Sequence, residues 1–206
     1  MIPPKIFTVW LSENETMPIL VKKCIKSQKI PGYDHRVIDI KTCTDLSKSI
    51  PYLRDCLNSP YASKKFCKAS DYLRMHYLWE EGGIYLDADV EILPNKNFDH
   101  FLNRTMFVGK EPTWWLATSV IGSMPKHPFV KSWMQDVEAK FRGDDDKCFE
   151  SSMEVMCEKY YHWRDDDPGM LICEPDVFCP YFHCDGTLTL TPNTIAYHHF
   201  MRTWTD

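Results

Sequence analysis

Ser63-Lys64-Lys65-Phe66-Cys67-Lys68-Ala69-Ser70-Asp71-Tyr72-Leu73-Arg74-Met75-His76-Tyr77-Leu78-Trp79-Glu80-Glu81, followed at once by Gly82-Gly83-Ile84-Tyr85-Leu86-Asp87-Ala88-Asp89-Val90, is the stretch on which the fold turns. Its first part holds neither Pro nor Gly and sets Phe66, Ala69, Leu73 and Tyr77 at steps of three and four, the period of an amphipathic helix. Gly82 is the residue type that closes such a helix at C′. Ile84-Tyr85-Leu86 is then a short run of strand formers, apolar on both faces, as expected of a central strand covered on both sides. Its last residue leads directly into Asp87, Ala88 and Asp89, and ligands of open α/β sheets bind beyond the carboxyl ends of strands.

The regions on either side continue the pattern. Lys5 to Leu11 reads as a buried strand, Met17 to Gln28 as a helix and, after the Pro31-Gly32 turn, His35 to Ile40 as a second strand. That opening is βαβ, the unit of a parallel sheet. Further on, strands are expected at Thr105 to Gly109, Thr118 to Ile121 and Met170 to Cys173, and helices from Pro128 to Phe141 and from Ser151 to Trp163. Asp144 to Asp146 and Asp165 to Asp167 are expected in loops. The fold class is therefore α/β, a central mixed but mostly parallel sheet flanked by helices. The 206 residues, 44% hydrophobic, are enough for one domain over 1–206.

Composition narrows the function. The net charge of -5 arises from acidic and basic residues mixed along the chain, without the clustered Lys/Arg stripe that nucleic acid requires. No apolar run approaches the roughly 20 residues needed to span a bilayer. Met1 leads straight into Ile2-Pro3-Pro4-Lys5, which lacks the plan of a signal peptide, so a cytoplasmic location is expected. The nine cysteines form an odd set without a C-x-x-C pair, and most are expected as buried free thiols. The tightest cluster, Cys173, Cys179, His183 and Cys184, has irregular spacing for zinc.

Asp87 and Asp89 carry the chemistry. Hard cations such as Mn²⁺ and Mg²⁺ take oxygen ligands, and two carboxylates two residues apart at a strand end can share such an ion with a diphosphate. D-x-D by itself is weak evidence, since Asp144 and Asp146, and Asp165 and Asp167, match it too. Neither of those pairs follows a buried strand.

The longer context is more specific. Ala69-Ser70-Asp71-Tyr72-Leu73-Arg74, with Leu78 and then Gly82-Gly83-Ile84-Tyr85-Leu86-Asp87-Ala88-Asp89-Val90, closely resembles the A-x-x-S-D-x-x-R…L…G-G-x-Y-x-D-x-D block of the family 32 glycosyltransferases. Pro4-Lys5-Ile6 with Val9-Trp10 is similar to the family's opening strand, and His127-Pro128-Phe129 to a mid-chain motif. Ala196-Tyr197-His198-His199 with Thr203-Trp204 is similar to its closing segment, Thr203 replacing the usual Ser. The pattern also resembles glycosyltransferase domains encoded by large algal viruses, which would place the protein in the host cytoplasm.

The resemblance implies a GT-A fold, a Mn²⁺ or Mg²⁺ cofactor, a nucleotide-sugar donor with UDP preferred, a glycan or glycoprotein acceptor, and retention at the anomeric carbon. It implies Asp87, Asp89 and His198 as metal ligands, with His199 able to substitute, and Asp71 and Arg74 on donor hydroxyls. Trp10 would stack on the base or pack in the core, Tyr85 would bind the donor or pack, Ala88 would line the diphosphate, and Trp204 would close over it. Glu111 is a candidate catalytic carboxylate on the sugar side. Two other classes use parts of the same apparatus: a metal-dependent nucleotide-sugar hydrolase or nucleotidyltransferase, and an inactive glycan-binding relative.

Overall fold

A computed structural model describes residues 1–13, 16–59, 62–111, 115–140, 148–182 and 187–201. The chain opens with β1 (Lys5–Val9), α1 (Ile19–Ser27), β2 (Asp34–Ile38), α2 (Ile40–Ser47) and α3 (Pro51–Leu57). The long helix α4 (Ala62–Glu80) then feeds β3 (Gly83–Leu86), followed by β4 (Val90–Ile92), β5 (Met106–Lys110) and β6 (Leu116–Ser123). Helices α5 (Pro128–Lys140) and α6 (Cys148–Asp166) lead to β7 (Met170–Cys173) and α7 (Pro175–Phe178). The short strands β8 (Tyr181–Phe182), β9 (Thr187–Leu188) and β10 (Ala196–His198) complete it.

Six strands form one sheet in the order β2-β1-β3-β6-β5-β7. Only β6 runs against the others: it is antiparallel to β3 and β5, while β1 pairs parallel with β2 and β3 and β5 pairs parallel with β7. The expected mixed, mostly parallel sheet is therefore present. Side chains alternate across it, as the two-residue period of a strand requires. Phe7, Tyr85, Val108 and Ile121 enter the core shared with α4, α5 and α6. Ile6, Ile84, Phe107 and Val120 enter a second core with Phe98 and Phe178 on the opposite face. A sheet covered on both faces confirms the reading of Ile84-Tyr85-Leu86.

The boundaries differ from expectation in instructive places. The second strand stops at Ile38 because Asp39 caps α2, its carboxylate accepting the Thr42 N–H at 2.8 Å, so Ile40 is helical rather than extended. Pro18 sets the start of α1, and β1 ends at Val9, although Leu11 is still buried. The Asp165 to Asp167 run is not all loop: α6 continues through Asp166. Asp167 then stops it by accepting from the Thr105 hydroxyl at 2.8 Å and the Gly169 N–H at 2.8 Å. Asp144 to Asp146 lie outside the described residues.

The turn from α4 to β3 needs both glycines. Gly82 has φ +64° and Gly83 φ +124°, and a Cβ on Gly83 would stand 2.8 Å from the Lys5 carbonyl oxygen of the neighbouring strand. Both the backbone conformation and the close approach of β1 exclude a side chain there. Gly83→Ala is expected to cost about 2–4 kcal/mol of stability through strain and overpacking. Urea denaturation measures this, and a loss below about 0.5 kcal/mol, the size of an ordinary surface change, would refute the reading.

Candidate active site

At the carboxyl end of β3 the chain turns through Asp87, Ala88 and Asp89 into β4, the Val90 N–H closing the turn on the Asp87 carbonyl at 3.0 Å. Ser119 of β6 accepts the Asp87 N–H at 2.9 Å. From the other side, the buried Gln28 donates its amide to the carbonyls of both Asp87 and Val90 at 2.9 Å, while its oxygen accepts the Thr8 hydroxyl at 2.5 Å. The turn is thereby fastened to β1, β6 and the end of α1.

β10 pairs antiparallel with β4, placing Ala196, Tyr197 and His198 opposite Ile92, Glu91 and Val90. This brings His198 Nε2 to 3.1 Å from Asp89 Oδ1 and 3.8 Å from Asp87 Oδ2. The three side chains offer ligand atoms all within 4.8 Å of one another. Each carboxylate has its other oxygen occupied. Asp87 Oδ1 accepts from the Tyr85 hydroxyl at 2.7 Å and from Arg74 at 3.2 Å, and Asp89 Oδ2 accepts from the Met201 N–H at 2.9 Å. The free oxygens are the ones that face His198.

Arg74 and Asp71 lie one layer below. They pair at 3.2 Å on α4 with side chains only 5% and 6% exposed, against 15–21% for Asp87, Asp89 and His198, so an ordinary surface ion pair is excluded. The Arg74 guanidinium sits 4.6 Å from the Tyr85 ring centre, and the Tyr85 hydroxyl is committed to Asp87. Asp71 Oδ2 and Arg74 Nε are buried with no hydrogen-bond partner among the described residues. An unsatisfied buried polar atom costs about 1–3 kcal/mol, and two of them lie beside the carboxylate cluster.

Residues 8–108 match the sequence family described as the glycosyltransferase sugar-binding region containing the DXD motif. That segment, just under half of the chain, thus carries the DXD region of this glycosyltransferase family. The match takes in Trp10, Asp71, Arg74, Tyr85 and the Asp87–Asp89 turn, and stops short of Glu111 and His198. Among solved structures, a glycosyltransferase involved in glycosylation of the major capsid of the virus PBCV-1 superposes with TM-score 0.56 at 16% identity, over 97% of this chain and 94% of that one. The PaToxG glycosyltransferase gives 0.55 at 18%, over 79% and 69%, and mouse xyloside xylosyltransferase 1 gives 0.53 at 12%, over 96% and 98%. These likenesses place the fold among glycosyltransferase folds. No curated protein matches in sequence.

Other expected residues fall as follows. Trp10 follows β1, its N–H bonded to the Ile38 carbonyl at 2.9 Å, and is half-buried. Glu111 follows β5 with its N–H on the Trp115 carbonyl at 2.9 Å, and lies close enough to raise the His198 pKa. Trp204, His183 and Cys184 lie outside the described residues, and Cys173 and Cys179 are buried free thiols. His199 does not stand in for His198: it turns to Glu91 at 3.0 Å, because neighbours on a strand face opposite ways. Gln28 and the Met201 amide were missed by sequence reasoning. Nothing local marks Gln28, which works across 59 residues of chain.

The electrostatics follow from the crowding. Burial pushes the Asp71 carboxyl up to about 6, Arg74 resisting and Asp87 adding to the rise. Burial would lower His198, but the hydrogen bond and charge of Asp89, with Asp87 and Glu111 behind it, outweigh that and raise it. Burial would likewise raise Asp89, and His198 and the Met201 amide hold it below its usual range instead. A proton on His198 thus occupies the position of a cation. Because folded His198 binds that proton more tightly than unfolded chain does, the pair stabilises the metal-free protein in full below about pH 6.5, and the contribution fades as pH rises through the raised value. Asp89→Asn is expected to bring the His198 titration down, and its destabilisation to be larger at pH 6 than at pH 9. Imidazole NMR and thermal unfolding at the two pH values check this; an unmoved His198 titration would refute it.

Among the described residues, no helix is long and apolar enough to cross a membrane.

Proposed function

We propose that this protein is a DXD glycosyltransferase that moves a sugar from a nucleotide-sugar donor, UDP-sugar by preference, to a glycan or glycoprotein acceptor, in a Mn²⁺- or Mg²⁺-dependent reaction that retains the anomeric configuration. Residues 1–206 act as one catalytic domain. The observation that carries the reading is the convergence of Asp87 Oδ2, Asp89 Oδ1 and His198 Nε2 at the end of β3. Two carboxylate oxygens and one imidazole suit Mn²⁺, and the opposite oxygens of both carboxylates are already held by the protein, so the donor set is preoriented. When bound, the cation supplies positive charge where the diphosphate departs.

The chain's own residues do the rest. Tyr85 and Arg74 fix the Asp87 carboxylate, and Gln28 and Ser119 fix its backbone. Asp71 Oδ2 and Arg74 Nε, buried and unpartnered, are the groups that donor hydroxyls satisfy. Trp10, half-buried beyond β1, stacks on the base, and Ala88, in the half-buried turn, lets the diphosphate approach the backbone. Glu111 is the sugar-side carboxylate, a role supported by its charge being felt at His198, and Trp204, outside the described residues, is the group that covers the diphosphate. The protein works in the cytoplasm, a reading supported by the buried free thiols, which belong to a reducing compartment.

Calorimetry of UDP, GDP and CMP, each with Mn²⁺ and again with EDTA, tests the proposal. UDP is expected to bind only with metal, and Asp89→Ala to abolish that binding with the fold intact. Unchanged affinity in Asp89→Ala would refute the metal site, and no nucleotide binding by folded wild-type protein would refute the donor class. Separately, Trp10→Ala is expected to weaken UDP binding by roughly 1–3 kcal/mol, the worth of one stacked base. If circular dichroism instead shows that the variant has lost its fold, Trp10 is structural.

A further inference from the structure

The strand that delivers His198 carries a second ligating group in the opposite direction. His199 Nε2 lies 3.0 Å from Glu91 Oε2, and the Tyr197 hydroxyl donates to the same oxygen at 2.9 Å. Behind them, on α1, is the fully buried thiol of Cys24. Cys24, Glu91 and His199 offer a sulfur, an oxygen and a nitrogen all within 4.8 Å of one another. They come from three separate elements, so their meeting is a product of the tertiary fold, and none of them belongs to the Asp87–Asp89–His198 set.

We propose that Cys24, Glu91 and His199 form a second cation site, selective for a soft or borderline divalent ion such as Zn²⁺, distinct from the hard-cation site on the other side of β10. One thiolate, one imidazole and one carboxylate make a zinc donor set, and a sulfur ligand discriminates against Mn²⁺ and Mg²⁺. Tyr197 or water completes a tetrahedron. In the ion-free state Lys23 supplies the positive charge, its ammonium 2.9 Å from Glu91 on a side chain 61% exposed and therefore free to leave. An entering ion takes the place of Lys23 at Glu91 and of the proton on Cys24. It ties α1, β4 and the end of β10 together, and so fixes the ribbon on which His198 and Asp89 are mounted. Zinc is thereby a stabiliser of the catalytic cation site, held apart from it by the strand.

Co²⁺ titration of the full chain, kept reduced and saturated with Mn²⁺, tests this through the thiolate-to-cobalt charge-transfer band in the near ultraviolet, with no substrate present. The band is expected to saturate at one equivalent, to be lost in Cys24→Ser and His199→Ala, and to persist in Asp89→Ala. Should Cys24→Ser fail to fold, Glu91→Gln keeps the thiol and is expected to weaken Co²⁺ by on the order of 10-fold to 100-fold. Absence of the band in wild type, its persistence in Cys24→Ser, or unchanged affinity in both His199→Ala and Glu91→Gln would overturn the site. Loss of the band in Asp89→Ala would show one shared site and overturn the separation.

Discussion

Like charges at close range are what the rest of this structure has to hold. Asp87 and Asp89 present oxygens within 4.8 Å of each other and of His198, with the buried Asp71 behind them. At that separation one carboxylate pair repels by roughly 3–4 kcal/mol at an effective dielectric constant of 20, a large fraction of a typical domain's stability. The cluster exists because its neighbours compensate. Arg74 sits buried beneath Asp71 and Asp87, and its guanidinium binds its proton still more firmly than usual: burial opposes the charge, but Tyr85, Asp87 and Asp71 outweigh it. His198, whose affinity for a proton Asp89 and Asp87 raise, stands in the remaining gap.

This explains why so much of the fold converges on one turn. A carboxylate that is merely near a cation can rotate away; one whose second oxygen is held cannot. Asp87 and Asp89 are both held in that way, by Tyr85 with Arg74 and by the Met201 amide. Gln28 adds a different constraint. Buried, with its amide on two carbonyls of the turn and its oxygen on Thr8, it sets where the turn stands relative to β1, and hence relative to Trp10 at that strand's end. Tyr85 is accordingly a positioning residue in this geometry, its hydroxyl turned to Asp87 and its ring covered by Arg74.

What the sequence made legible was what is local. The helix and strand around Asp71, Arg74 and Asp87 are contiguous, strongly periodic and punctuated by glycines whose φ values of +64° and +124° only glycine adopts readily, so their type and order could be read directly. α2 and α3, of eight and seven residues, are too short to establish a period, and Asp39 as a cap was hidden by the strand before it. β4 and β10 have three residues each, too few for alternation to register. His198 was therefore reached by resemblance, and Gln28 not at all, since its role exists only once α1, β1 and β3 are assembled.

The difference between His198 and His199 shows where sequence reasoning stops. The two are adjacent, chemically identical and equally able to ligate an ion, so no count or motif separates them. The register does: with His198 opposite Val90 and Tyr197 opposite Glu91, one imidazole faces the Asp87–Asp89 turn and the next faces α1. A slip of one residue in that pairing would exchange them, and with them a hard donor set of two carboxylates for a mixed set containing a thiol. The three-residue pairing of β10 with β4 thus selects which donor set each face of the ribbon presents. That pairing is continued by the Leu93 N–H on the Ile195 carbonyl at one end and the His199 N–H on the Asp89 carbonyl at the other, at 2.9 and 3.1 Å. The chemistry of each donor set is accordingly a property of strand register before it is a property of residue identity.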